Sequence, residues 1–222
     1  MLSCRVFRRA IPSPMPLAIF DLDGTLVDSA PDIRACLNRL MEREGLPPFS
    51  LPEVAAMIGD GARALLAKAF AARGVPLDEA VIAPFLDDLE ANSAKLTRPY
   101  PGIPEALDAL TAAGWTLAVC TNKPIAATRA LLASLGLAPI FAVVLGGDSL
   151  PVRKPDPGHV QGVLAEAGTA ADDAVMIGDH QNDLRAAAGA GVRSIFAAWG
   201  YGSGEGATLR AAVPADLPAL LA

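Results

Sequence analysis

From Leu17 onward, short apolar runs alternate with longer segments whose apolar side chains recur at helical spacing. A strand buried on both faces has no polar side, so it reads as a continuous apolar run rather than an alternating one. Such runs separated by helices predict an α/β fold, a Rossmann-like parallel sheet with helices packed on its two faces. Strands are expected near 17–21, 115–120, 141–145, 174–178 and 193–197, and helices near 103–113, 124–135, 156–167 and 181–189. Gly114, Gly136, Gly168 and Gly191 follow those helices, where a C-terminal cap favours positive φ.

One interval breaks the pattern. About seventy residues separate the first strand from the helix before the second, too many for a simple crossover. Within them Ile33, Leu37, Leu40 and Met41 fall at helical spacing, and 54–57, 62–72 and 77–95 read the same way. The interval predicts an inserted α-helical cap over 29–98, hinged at Ser29-Ala30-Pro31 and at Arg98 to Gly102, on a core made of 17–28 and 99–222. The stretch from Tyr201 reads as a Gly-rich loop and a last helix over 209–221.

The hydropathy of the chain is positive mainly through alanine, and no run of 18 apolar residues spans a bilayer. A net charge of −6, with Arg5, Arg8 and Arg9 ahead of the first acid, argues against nucleic acid as a partner. Cys4, Cys36 and Cys120 lack the spacing of a disulfide framework or a zinc site, which points to a reducing cytoplasm. Residues 1–16 are basic and Pro-broken, without the apolar core of a secretory signal. A disordered tail or a start at Met15 is expected there, with an organelle transit peptide as the alternative. Oligomeric state is not legible in the sequence.

Ligands of open parallel sheets bind beyond the carboxyl ends of the strands. The first strand ends in Asp21 and Asp23, the second in Thr121 and Asn122; Asp148 and Lys154 follow the third, and Asp179 and Asp183 the fourth. Carboxylates brought to about 4 Å repel by roughly 1 kcal/mol in water and nearer 4 kcal/mol at an effective dielectric of 20, so a convergent set demands a cation. Mg²⁺ suits all-oxygen ligands and leaves positions for water and a phosphate oxygen. Gly24 permits a tight turn presenting N–H groups to an anion, and the Thr121 hydroxyl can donate to a phosphoryl oxygen.

The stretches DLDGT (21–25), TN (121–122), Lys154 and GDHQND (178–183) resemble, in order, the four motifs of the haloacid dehalogenase superfamily. CTNKP (120–124), GGDSLPVRKPDP (146–157) and WGYG (199–202) are most similar to its phosphoglycolate phosphatase subgroup, and the inserted helices to a C1-type cap. The resemblance implies that Asp21 is a nucleophile forming an aspartyl-phosphate and that Asp23 is the general acid and base. It implies that Thr121 holds a phosphoryl oxygen and Lys154 orients Asp21. Mg²⁺ would lie between the Asp21 side chain, the Asp23 carbonyl and Asp179, with Asp183 behind them. Asn122 and the Gly59-Asp60-Gly61 loop with Arg63 become candidate substrate-binding residues, Arg63 as a partner for a substrate carboxylate.

Singly, acids at strand ends are often helix caps, and a Gly-x-Gly among helices is usually a turn. Ser29 reads as a helix N-cap, His159 as a packing or surface residue, and His180 departs from the Ser or Thr usual after the metal-binding Asp. The substrate expected is a small phosphomonoester, 2-phosphoglycolate first. A sugar phosphate, a phosphosugar mutase reaction and a phosphate-binding module without activity are the alternatives; Gly178, where related mutases carry an acid, favours hydrolysis.

Overall fold

A computed structural model of the protein describes residues 15–92, 94–205, 207 and 209–222. Strand β1 (Leu17–Phe20) is followed by the two-residue β2 (Val27–Asp28) and four helices, α1 (Ala30–Arg43), α2 (Leu51–Ala55), α3 (Ala62–Ala72) and α4 (Ile82–Asn92). The chain returns through β3 (Arg98–Pro99) into α5 (Ile103–Ala112), β4 (Thr116–Cys120), α6 (Ile125–Ser134), β5 (Val143–Leu145) and α7 (Pro157–Ala167). It ends with β6 (Ala174–Gly178), α8 (Gln181–Gly189), β7 (Arg193–Ala197), β8 (Leu209–Ala211) and α9 (Leu217–Leu220).

Six strands pair in the order β5-β4-β1-β6-β7-β8, every neighbouring pair parallel. The core is therefore the α/β fold that the alternating pattern predicts. Successive side chains of a strand point to opposite faces, and the core divides accordingly. Ala18, Phe20, Leu117, Val119, Val175 and Ile177 pack with α5, α6 and α9 on one side. Leu17, Ile19, Ala118, Cys120 and Met176 pack with α7 and α8 on the other. Each large apolar side chain so buried contributes about 1.5–3 kcal/mol.

The helices between β2 and β3 have a core of their own, built from Ile33, Leu37, Leu40 and Met41 of α1, Leu65, Leu66 and Phe70 of α3, and Phe85 and Leu89 of α4. Asp32 fastens the end of this unit to its start, its buried carboxylate accepting from the Leu96 and Thr97 N–H groups and from the Thr97 hydroxyl. Antiparallel pairing of Val27 with Pro99 and of Asp28 with Arg98 brings the two connections side by side.

Two local readings change, and the one for His159 narrows to packing. The segment 209–221 is not one helix: Leu209–Ala211 adds a parallel edge strand to β7, and only Leu217–Leu220 is α-helical. The Ser29 side chain caps nothing; the amides of Ser29 and Ala30 donate instead to the Tyr201 hydroxyl, at 2.9 and 3.0 Å. His159 is fully buried. The expectation for the N-terminal extension lies, up to residue 14, outside the described residues. Among the described residues no helix is long and apolar enough to cross a membrane.

Candidate active site

The chain runs β1, β4, β5 to one side of the sheet and then returns to β6 on the other side of β1, leaving a crevice beyond the ends of β4, β1 and β6. Asp21, Thr121 and Asp179 leave those three neighbouring strand ends, which is why residues so far apart in sequence meet. One carboxylate oxygen from each of Asp21, Asp179 and Asp183 lies within 4.8 Å of the others, and all three residues are buried.

Lys154 balances part of that charge. Its ammonium lies 3.0 Å from Asp21 Oδ1 and 2.6 Å from Asp183 Oδ1, and donates to the Cys120 carbonyl at 2.5 Å. Burial alone would lower the Lys154 pKa, but Asp183 and Asp21 together hold it above its usual value. Burial pushes the Asp21 carboxyl up to about 8 despite Lys154, with Asp183 and Asp179 adding to the rise. Asp179 is pushed up to about 6 by burial and by Asp183, against the bonds it accepts from the Tyr201 N–H and the Thr25 hydroxyl. Three buried acids with one lysine, which contacts only two of them, present oxygen donors that fit a hard divalent cation.

Two glycines make the cluster sterically feasible. Gly24 has φ +89°, and a Cβ there would stand 2.3 Å from Asp179 Oδ2. At Gly178 a Cβ would stand 2.2 Å from Asp183 Oδ2, so no side chain fits before Asp179 while Asp183 keeps this position. His180 caps α8: its Nδ1 accepts from the Asn182 N–H while Asp183 Oδ2 accepts from the His180 N–H.

Asp23 belongs to a different environment. Its carboxylate faces Lys123, whose Nζ lies 3.2 Å from both oxygens. Both acids line one cavity of about 40 Å³, room for about three waters, with Thr121, Asn122 and Lys123 on the core side. Ile33, Ile58, Leu65, Phe85 and Leu89 form the opposite wall, completed by Gly59 and Gly61. The Gly59 carbonyl accepts from Asn122 Nδ2 at 2.9 Å and Asn182 Nδ2 at 3.2 Å, while Asp60 accepts from Asn182 Nδ2 at 2.6 Å and pairs with Lys68.

Arg63 is not among the residues lining this cavity; its exposed guanidinium is bound at both ends by Glu79. Asp148 caps α6 through the Ile125 N–H, at 2.8 Å. Lys123 and Tyr201 are the residues that sequence reasoning missed. The signals were the Lys immediately after Thr121-Asn122 and the lone Tyr in the Gly-rich stretch after β7.

The family profile described as haloacid dehalogenase-like hydrolase matches residues 18–197. The chain belongs to that family. Among its haloacid dehalogenase-like relatives, a phosphoglycolate phosphatase of Agrobacterium fabrum is 45% identical over 190 residues, spanning 84% of this chain and 82% of the relative. The crystal structure of a predicted phosphoglycolate phosphatase from Haemophilus somnus superimposes with a TM-score of 0.85 at 30% identity, over 95% of this chain and 100% of that one. CbbY from Rhodobacter sphaeroides in complex with phosphate gives a TM-score of 0.76 at 26% identity, over 91% and 96%. As a haloacid dehalogenase-like hydrolase with these relatives, the protein is a phosphoric monoester hydrolase.

Proposed function

We propose that the protein is an Mg²⁺-dependent phosphatase that hydrolyses 2-phosphoglycolate through an aspartyl-phosphate on Asp21. The observation that carries the reading is the pair of acids lining one cavity with different partners, Asp21 on the buried Lys154 and Asp23 on Lys123. Two carboxyl groups two residues apart can then hold opposite roles, one an ionised nucleophile and the other a proton carrier. The phosphoglycolate phosphatase relatives support the substrate, and a cavity this small disfavours a large ester.

Asp21 attacks phosphorus as the bond to the ester oxygen breaks, and Asp23 gives the departing alkoxide its proton. In the second half, Asp23 takes a proton from the water that attacks the phosphorylated Asp21, and inorganic phosphate leaves with Asp21 restored. Thr121 Oγ1 accepts from the Lys123 N–H at 3.2 Å, which leaves its own proton free for a phosphoryl oxygen. Lys154 holds Asp21 in place and offsets charge that builds on the phosphoryl group. Asp21, Asp179 and the Asp23 carbonyl would hold Mg²⁺, with Asp183 behind them; when bound, the cation supplies the positive charge that lets Asp21 stay ionised at neutral pH. Residues 29–98 act as a cap whose Gly59-Asp60-Gly61 loop closes the cavity, while Asn122 anchors that loop. Cys36 and Cys120, free and buried, fit a reducing cytoplasm.

Phosphate release from 2-phosphoglycolate, hexose phosphates and p-nitrophenyl phosphate, with Mg²⁺ or chelator and beside Asp21→Asn, tests the reading. Turnover should require Mg²⁺, favour 2-phosphoglycolate and vanish in Asp21→Asn. Turnover of another ester with the same dependences would move the substrate and keep the mechanism; no release from any would reject both.

A further inference from the structure

Lys123 follows the end of β4, where a lysine would ordinarily reach solvent, yet its side chain is only 2% exposed. Its backbone is pinned from two sides, the N–H donating to Thr121 Oγ1 and the carbonyl accepting from the Gly147 N–H at 2.8 Å. Nζ contacts both Asp23 oxygens, and an ammonium has three N–H donors, so one remains for another acceptor. Among the described residues lining the cavity, Lys123 is the one cation. Lys154 is held by Asp21 and Asp183, Lys68 by Asp60, and Arg63 by Glu79 outside it.

Proton transfer fixes where a substrate's second charge can lie. The ester oxygen that receives a proton from Asp23 must come within about 3 Å of that carboxyl. In the phosphate ester of a 2-hydroxy acid, one carbon separates that oxygen from the carboxylate, so the carboxylate falls beside whatever cation Asp23 holds. Here that cation is Lys123, 3.2 Å from Asp23. A neutral hydroxylated group would face Ile33, Leu65, Phe85 and Leu89, where its polar atoms lose water and gain no partner.

We propose that Lys123 binds the substrate carboxylate and so selects phosphate esters of short 2-hydroxy acids. This rests on the phosphatase reading above and adds to it a specificity residue and a class of substrate. The preference is positional: moving the carboxylate one methylene further from the ester oxygen takes it away from Nζ.

The test compares kcat/KM of the wild type and Lys123→Met on 2-phosphoglycolate, its neutral amide 2-phosphoglycolamide, and the phosphate ester of 3-hydroxypropionate. The wild type should prefer 2-phosphoglycolate to each of the others by about tenfold or more, the scale of one charged hydrogen bond. Lys123→Met removes a partner of Asp23 as well, so all rates should fall; the readout is the acid-to-amide ratio, which should drop toward one. Lys123→Arg, which keeps the charge, should retain part of the ratio. Equal falls on acid and amide in Lys123→Met would overturn the proposal and leave Lys123 as a support for Asp23 alone. A wild-type ratio near one would overturn it without any variant, even if a variant fails to fold. Wild-type inactivity on all three esters would instead reject the phosphatase reading itself.

Discussion

Replacing Lys154 by Met tests how the core tolerates its acids. At an effective dielectric of 20, the Lys154–Asp183 attraction at 2.6 Å is about 6 kcal/mol and the Lys154–Asp21 attraction at 3.0 Å about 5.5 kcal/mol, before desolvation. Desolvation offsets much of both, but deleting one partner leaves the others buried without it, which costs about 3–5 kcal/mol. With a urea slope of about 2 kcal/mol/M, the unfolding midpoint should fall by about 1.5–2.5 M. Trp115 and Trp199 supply a fluorescence readout, and Trp199 reports near the site because its indole N–H donates to the Thr25 carbonyl. In chelator the deficit should widen as pH rises past 8. Asp21 already rises to about 8 with Lys154 present, and without the ammonium it rises further. Both folded forms keep a proton that the unfolded chain releases near pH 4, so both lose stability as pH rises; the wild type stops losing it near pH 8, where its Asp21 ionises, and the variant goes on. An unchanged midpoint, or a deficit that grows toward acid pH, would refute the electrostatic account.

Two further outcomes follow from buried groups. His159 is fully buried, neither ring nitrogen has a side-chain hydrogen-bond partner among the described residues, and burial with Lys154 nearby depresses its pKa from 6.5 to about 4. The unfolded chain therefore takes up its proton first, and stability should be full above pH 6.5 and fall toward pH 4 by up to about 3 kcal/mol. Replacing His159 by Leu should flatten that limb of a stability-against-pH curve, and an unaltered slope would exclude His159 as its source. Tyr201→Phe removes a hydroxyl that accepts from the Ser29 and Ala30 amides and donates to Asp28 Oδ1 at 2.8 Å. It should cost about 1–3 kcal/mol and speed hydrogen exchange at those two amides; unchanged exchange there would show that water replaces the hydroxyl without penalty.

Strand β6 was legible to the residue because both its faces are covered, so the apolar run begins and ends where burial does; β7 was legible through its buried 195–197, although Arg193 at its start is exposed. The acids at the strand ends were legible because the chemistry they share constrains residue type and order. Residues 209–221 misled for the opposite reason. An edge strand with Leu209 and Arg210 exposed carries no burial pattern, and the Ala and Leu after it happen to fall at helical spacing. Lys123 was invisible because its burial depends on Asp23, a hundred residues earlier, and no local spacing encodes a pairing across neighbouring strands. The same limit hides the partner of Arg63, Glu79, which lies on another segment of the helical insertion. The two-residue strands β2 and β3 are too short to show any period.

Those two short strands also bear on how such a protein diversifies. Because Val27–Asp28 and Arg98–Pro99 lie paired, the whole helical unit leaves and re-enters the core at one spot. A different insert would need only two chain ends a strand's width apart, and Asp21, Lys154 and Asp179 would keep the sheet that holds them. The join separates the helical wall of the cavity from the sheet that carries Asp21, Lys123 and Asp179, so lineages can exchange the first by recombination between residues 28 and 98 while inheriting the second intact.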